Sequence, residues 1–370
     1  MKALGHTAVP LSSISFSRYL RLRHCLLSGA TLARTSPARG GRSPRLRSQV
    51  LGDIFHDVMS AINEGAGAAA SPAEFRALFN RVVSTAAEEL RATPSSRHLG
   101  EPNHWPELAE LYRRLYDVVQ RRRRAGAVEA VEACAERTLN SKDGHLWGRP
   151  DAYFVSADGI DLVDYKSGAL SSEASPRDEY VEQLLFYAYL IQENYGEYPR
   201  SLSLIGRDGL VIPVPPEPGR SAILGDQLRS MLATYNTAVG RQVAAEELAT
   251  PNSEGCLFCN RKALCSKFWD ALPVLETPAW SHVALGSQLG PLIKSARGGG
   301  WFELALERSS LSARVVKVTR VFEARFPDVD LAHRTGQRLL LTSLRYASGK
   351  DVVVVEATER TTIVAMDPSV

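Results

Sequence analysis

Two groups of residues in this chain are equipped for chemistry. The first is the segment DLVDYKSG, Asp161 to Gly168, which sets two acids, a tyrosine and a lysine in a strand-like run that stops at Ser-Gly. Asp and Lys are poor strand formers, so their presence there needs a reason. If Asp158-Gly159 is a two-residue hairpin turn, Ala157 pairs with Ile160, Tyr153 faces Asp164 and Asp151 faces Lys166. Side chains alternate along a strand, so Asp151, Asp164 and Lys166 project from one face. Two neighbouring carboxylates suit a hard divalent cation such as Mg²⁺ or Mn²⁺. Such an ion lowers the pKa of a bound water and neutralises charge on a phosphate oxygen. A lysine beside it orients the water or stabilises developing negative charge. The flanking Phe154, Val155, Ile160, Leu162 and Val163 bury both faces of the hairpin, and a metal would satisfy the polar trio. A surface hairpin carrying a plain Asp–Lys ion pair is the competing reading.

The second group is the cysteines: Cys25, Cys134, Cys256, Cys259 and Cys265. An odd number, with no apolar secretion signal at the start, argues against a disulfide framework and for a reducing, cytoplasmic setting. Cys256, Cys259 and Cys265 lie within ten residues, and with Cys25 they make a four-thiolate set. Such a set binds Zn²⁺ or an iron–sulfur cluster, and spacing alone does not choose. Cys134, within VEACAER, reads as a buried helix residue.

The elements that must position these groups follow from periodicity. Residues 11–30 read as a short helix entered from serines, and the Gly-, Pro- and Arg-rich stretch after them as a loop. Helical spacing covers about 50–65, 72–92 (opened by Ser-Pro-Ala-Glu), 105–139, 177–196 and 219–247. Short strands surround the hairpin and fill 200–215. After a Pro-containing stretch, four or five strands follow, so a boundary near 275 divides a 1–275 unit from a small β-rich 276–370 unit, OB- or SH3-like. The fold class is α/β, with a mixed central sheet flanked by helices and a β-barrel-like C-terminal part.

Charge is unevenly spread. The 370 residues carry a net +3, yet residues 1–52 hold nine Lys or Arg and no acid, so the remainder is about −6. A basic arm suits nucleic-acid phosphate, or is a solvated tail or an organelle transit peptide. Arg18, Arg21, Arg23, the loop arginines to Arg47 and Arg121–Arg124 could line a DNA path. Trp301, Phe302, Phe322 and Tyr346 could stack on bases, or form the core of a barrel that docks protein. No run of 18 apolar residues occurs, so no membrane span is expected.

Taken in order, the motifs resemble those of the PD-(D/E)xK nuclease superfamily, and most closely its RecB- and AddB-like branch, which includes CRISPR-associated exonucleases with an iron–sulfur cluster. ISFSRYLRLRHC looks like that family's opening helix ending in Cys, and LGDIFH like its Gly-x-x-x-His helix, with Gly52 and His56. GRPD followed by DYK looks like the acid, acid, lysine core, and QLLFY like its Gln-x-x-x-Tyr helix. The likeness spans about residues 11–270. It implies a restriction-endonuclease-like core, metal ligation by His56, Asp151 and Asp164, and Lys166 as the catalytic lysine. It also implies DNA contact by Gln183 and Tyr187, which share one helix face, and a cubane cluster on Cys25, Cys256, Cys259 and Cys265, with zinc the alternative. The activity implied is metal-dependent hydrolysis of DNA, most readily single-stranded or end-containing, in repair, recombination or defence. No Gly-x-x-x-x-Gly-Lys-Ser/Thr loop occurs, so unwinding would fall to a separate helicase. A non-catalytic DNA-binding scaffold in a larger complex is the alternative.

Overall fold

A computed structural model describes residues 7–32, 46–63, 71–93, 96, 99–124, 132–166, 170–172, 175–206, 210–241, 244–259, 261–262, 265–271, 288–295, 300–305, 315–321, 336–348 and 353–365. In chain order the elements begin with β1 (Ala8–Val9), α1 (Phe16–His24), α2 (Leu26–Gly29), β2 (Thr31–Leu32), α3 (Arg47–Ala61), α4 (Pro72–Ala92) and α5 (Pro106–Arg124). Then come β3 (Glu132–Ala135), β4 (Leu139–Asn140), β5 (Trp147–Gly148), β6 (Ala152–Ser156), β7 (Gly159–Lys166), β8 (Ser171–Ser172), β9 (Ser175–Pro176) and α6 (Asp178–Tyr195). They are followed by β10 (Ser201–Gly206), β11 (Val211–Val214), α7 (Pro218–Gly240), α8 (Ser253–Phe258) and α9 (Ser266–Ala271). The last strands are β12 (Gln288–Ser295), β13 (Gly300–Ala305), β14 (Val315–Val321), β15 (Arg338–Ser348) and β16 (Val353–Ala365).

The α/β expectation holds. Five strands form a mixed sheet in the order β11-β10-β7-β6-β3, with β7 and β10 parallel and the other pairs antiparallel. A parallel pair needs a crossover, and α6 provides it. Each face of the sheet carries its own core. Ile160 and Leu162 of β7, with Tyr153, Leu202 and Leu204, pack against residues of α1, α6 and α7. Val163 and Tyr165, with Ala152 and Ile205, pack against α3, α4 and α5. Successive residues of β7 thus serve opposite cores, and the strand is buried on both sides as a sheet between helix layers must be. Near the C-terminus, β12-β13-β14-β16-β15 close into a barrel with one parallel pair, β14 with β16. No described helix is long and apolar enough to cross a membrane.

The helix at 72–92 begins where the sequence indicates. Ser71 and Glu74 form a reciprocal capping box: the Ser71 Oγ accepts the Glu74 N–H, and Glu74 Oε2 accepts the Ser71 N–H at 2.9 Å. Other boundaries move. The helix expected over 11–30 breaks at Cys25, whose extended backbone separates α1 from α2. Helix α7 stops at Gly240, short of 247, and a single 3-10 turn follows at Ala245–Leu248. The helix expected over 105–139 gives way to strands, and Cys134 lies not in a helix but in edge strand β3, opposite Tyr153. Ala and Glu favour a helix locally, but pairing with β6 overrides that preference.

The hairpin register also differs. Val155 pairs with Ile160 and Ser156 with Gly159, so Ala157-Asp158 form the turn. Gly159 takes the left-handed backbone, φ 121°, and Ser156 Oγ donates to the Gly159 carbonyl at 3.0 Å and accepts the Asp158 N–H. The slip is two residues, so it preserves the faces, as a one-residue slip would not. Asp151 therefore comes beside Asp164 rather than opposite Lys166. The Ser167-Gly168 stop, the loop arginines 34–45, Phe322 and the boundary near 275 lie outside the described residues.

Candidate active site

The site lies at one end of the sheet, where β7 and the bend before β6 supply acids and helices from both layers supply partners. Asp164 is fully buried on β7, and its Oδ2 stands 2.5 Å from the Lys166 ammonium. That oxygen makes no well-directed hydrogen bond. Burial is the largest influence on Asp164 and pushes its carboxyl up; the neighbouring Asp151 adds to the rise, and the Lys166 charge opposes it. Asp151, in the bend before β6, accepts the Tyr165 N–H at 2.6 Å through Oδ2. Its Oδ1 lies 3.4 Å from Nδ1 of His56, which α3 delivers from the other helix layer. Phe55 holds that turn of α3 in place, its ring edge-on to Tyr165 at 5.8 Å. Burial lowers the His56 pKa, but the Asp151 hydrogen bond and the charges of Asp151, Asp164 and Glu136 outweigh it and leave it raised.

Glu136 was not expected here. One ligand atom each from His56, Glu136 and Asp151 lie within 4.8 Å of one another, the one such group of three among the described residues. Asp164 is not part of that close group; it faces Lys166 instead. Glu136 has a positive φ of 51°, uncommon for a residue with a side chain, which costs about 1 kcal/mol or more. Its N–H donates to the Asp151 carbonyl at 3.2 Å, and Arg149 Nε contacts its Oε2 at 2.6 Å. Burial first, then the Asp151 charge, raises the Glu136 pKa. No strand alternation could reveal Glu136, because it sits just past the end of β3; the usable signal is the left-handed backbone, seen only in three dimensions.

Gln183 and Tyr187 occupy one face of α6, as their spacing requires. The Lys166 ammonium donates to Gln183 Oε1 at 2.7 Å, and Gln183 Nε2 donates to the Tyr187 hydroxyl at 2.9 Å. The same ammonium lies 4.8 Å from the centre of the Tyr180 ring. Gly148 lets α6 come this close: a Cβ there would stand 2.8 Å from the Tyr187 ring. Lys166 is thus held by a carboxylate, an amide and a ring face. A divalent cation fits the donor set. The acids are crowded, and one imidazole and two carboxylates converge.

The thiols gather elsewhere. Cys25, Cys256, Cys259 and Cys265 line one cavity together with Leu27 and Phe268. Burial pushes the thiols of Cys256 and Cys265 up to about 11. Among the described residues no three thiol sulfurs come within 4.8 Å of one another. Cys134 is remote from this set, beside Glu132 and Arg137.

A mixed sheet with an acid, acid, lysine cluster at its end defines a class of metal-assisted hydrolase site, and comparison with known proteins agrees. Residues 13–266 match the profile of the PD-(D/E)XK nuclease superfamily, and the chain belongs to that superfamily. A crystal structure of a presumed exonuclease from Eubacterium rectale is similar at 11% identity with a TM-score of 0.33, covering 65% of this chain and 84% of that one. No curated protein matches the chain.

Proposed function

We propose that this protein is a Mg²⁺- or Mn²⁺-dependent deoxyribonuclease that hydrolyses phosphodiester bonds in single-stranded or end-containing DNA. The observation that carries the reading is the convergence of His56, Glu136 and Asp151 within ligand distance of one another, beside the buried Asp164–Lys166 pair. A bound divalent cation would be held by His56, Asp151 and Glu136, with Asp164 at its edge, and would supply Lewis acidity and a lowered pKa for an attacking water. The chain's own residues do the rest. Lys166, steered by Gln183, Asp164 and the Tyr180 ring, offers its ammonium to charge developing on the phosphate. Arg149, at the rim, offers donors to a neighbouring phosphate.

Within this reading Cys25, Cys256, Cys259 and Cys265 hold an iron–sulfur cluster. Four thiols lining one cavity suit a bound metal centre, and the family resemblance favours the cluster, with zinc the alternative. The five-strand barrel, with its single parallel pair, supports an OB-like over an SH3-like reading of the 276–370 unit. Trp301 is half-exposed on β13, with the Lys317 ammonium 4.3 Å from its ring centre.

The test is incubation with 5′- and 3′-labelled single- and double-stranded DNA plus Mg²⁺ or Mn²⁺, with EDTA as control. Asp164→Ala and Lys166→Ala should abolish cleavage while DNA binding persists. If both variants cut as fast as the parent, the proposal fails.

A further inference from the structure

Trp147 is a large apolar ring set in the open: 39% exposed, and the one aromatic among the large hydrophobic residues exposed in the described part of the chain. Its backbone is nonetheless fixed on both sides. The Trp147 N–H donates to the Ile14 carbonyl at 3.1 Å, and Trp147 pairs with Asn140 in the β4–β5 ribbon. On the inner side, Leu139, Leu146 and Gly148 are buried, Gly148 against the Tyr187 ring. A ribbon bonded on both sides therefore holds the indole toward solvent.

The direction of the chain gives that position meaning. Trp147 and Arg149 are exposed while Gly148 and Pro150 are buried, an alternation that sets Trp147 and Arg149 on one side of the segment. Arg149 reaches Glu136, which belongs to the ligand group with Asp151. At about 3.3–3.6 Å per residue, the Trp147 backbone lies no more than about 14 Å from that of Asp151. A strand whose phosphate rests at the acids would bring a base within reach of the indole a few nucleotides away, with Arg149 between them to meet the intervening backbone charge.

We propose that Trp147 is a stacking platform for an unpaired base of the substrate strand, and that the site consequently selects single-stranded nucleic acid. This rests on the nuclease reading for the position of the phosphate. A base inside a duplex shows only its edges, whereas an unpaired base offers its face, and that face is what an aromatic platform recognises. Stacking is tolerant of base identity, so the selection concerns strandedness and not sequence.

The experiment measures binding of the full-length protein to fluorescent oligonucleotides in EDTA, so that no cleavage intervenes. Trp147→Ala should weaken binding of single-stranded DNA about tenfold, and Trp147→Phe should keep most of the affinity. Neither change should alter binding of a wholly abasic strand, which has the same phosphates and no bases, or of blunt duplex. Equal affinity of parent and Trp147→Ala for the single strand would overturn the proposal. So would an equal loss on abasic and normal strands, which would mark a structural role, or failure of the parent to bind single strands. Cleavage with Mn²⁺, assayed separately, keeps the two readings apart. A parent that binds through Trp147 but never cuts removes the nuclease reading and leaves this one. A parent that cuts while Trp147→Ala changes nothing does the reverse.

Discussion

At the residue scale the site concentrates negative charge. Asp164 faces Lys166, Asp151 faces His56 of the helix layer, and Glu136 faces Arg149 at the rim. Burial and mutual repulsion raise both Glu136 and Asp164, which is the signature of carboxylates placed to receive a cation. Adding Mn²⁺ should therefore raise the melting temperature of the parent, since a ligand at 100 times its Kd stabilises by about 2.7 kcal/mol. Glu136→Gln and Asp151→Asn should each lose most of that gain, while melting in EDTA no lower than the parent. A thermal scan with and without Mn²⁺ decides it, and a full Mn²⁺ shift in Glu136→Gln would remove that residue from the ligand set. The sequence exposes these residues unequally. Asp151, Asp164 and Lys166 are legible because strand alternation brings them together. His56 is legible only through the family resemblance, since one histidine on a helix carries no direction. Glu136 is not legible at all, because its side chain reaches the site through a backbone conformation that no residue pattern encodes.

At the element scale the site depends on the parallel pairing of β7 and β10, which starts at Asp161 opposite Ser201. Arg200 grips the Asp161 carboxylate through Nε and Nη2 at 3.0 and 2.9 Å, and Ser201 Oγ donates to it as well. The first acid of DLVDYKSG is thus a clamp between strands, and the second belongs to the chemistry. The Arg200 hydrogen bonds hold the Asp161 carboxyl below its ordinary value, against the opposing effect of burial. A depressed folded-state pKa gives stability that is present above the unfolded value, near 3.9, and fades as pH falls through the folded one. Asp161→Asn should accordingly cost about 0.5–1 kcal/mol at pH 7, a figure kept small because Arg200 is partly exposed, and less in acid. Urea melts of parent and variant at neutral and acidic pH measure this; an undiminished difference in acid would mean that the charge is not what Asp161 contributes. The strands of this region are readable from alternation and the turn signal. Their register is not, because whether Gly159 lies within the turn or just after it depends on the Ser156 side chain as well as on the Asp-Gly pair. Cys134 misleads in the opposite way, since its helix-forming neighbours give no hint that an edge of the sheet is open to receive them.

At the scale of the whole molecule, residues 24–30 are sewn to residues 225 to 234 positions later. The His24 carbonyl accepts from Asn252 Nδ2 at 2.9 Å, the Thr250 N–H points at Cys25 Sγ at 3.4 Å, and Arg261 donates to the Leu27 and Ala30 carbonyls. The four thiols sit at the centre of this seam. A cluster bound there would close nearly the whole nuclease fold into one loop and would act as a cross-link, a constraint typically worth about 2–4 kcal/mol. Burial raises the pKa of two of those thiols, so assembly of a cluster there would have to expel their protons, and the protein without it should keep a weak seam. Cys25→Ser and Cys259→Ala should each yield colourless protein that melts several degrees lower and is cut by protease between the N-terminal helices and the sheet. Cys134→Ser should stay brown and melt like the parent, because Cys134 packs on the far strand of the sheet away from the seam. Iron analysis, visible absorbance and limited proteolysis on the three variants separate the outcomes. Iron-loaded Cys25→Ser with the parent's melting temperature would show that α1 is held by its hydrogen bonds alone.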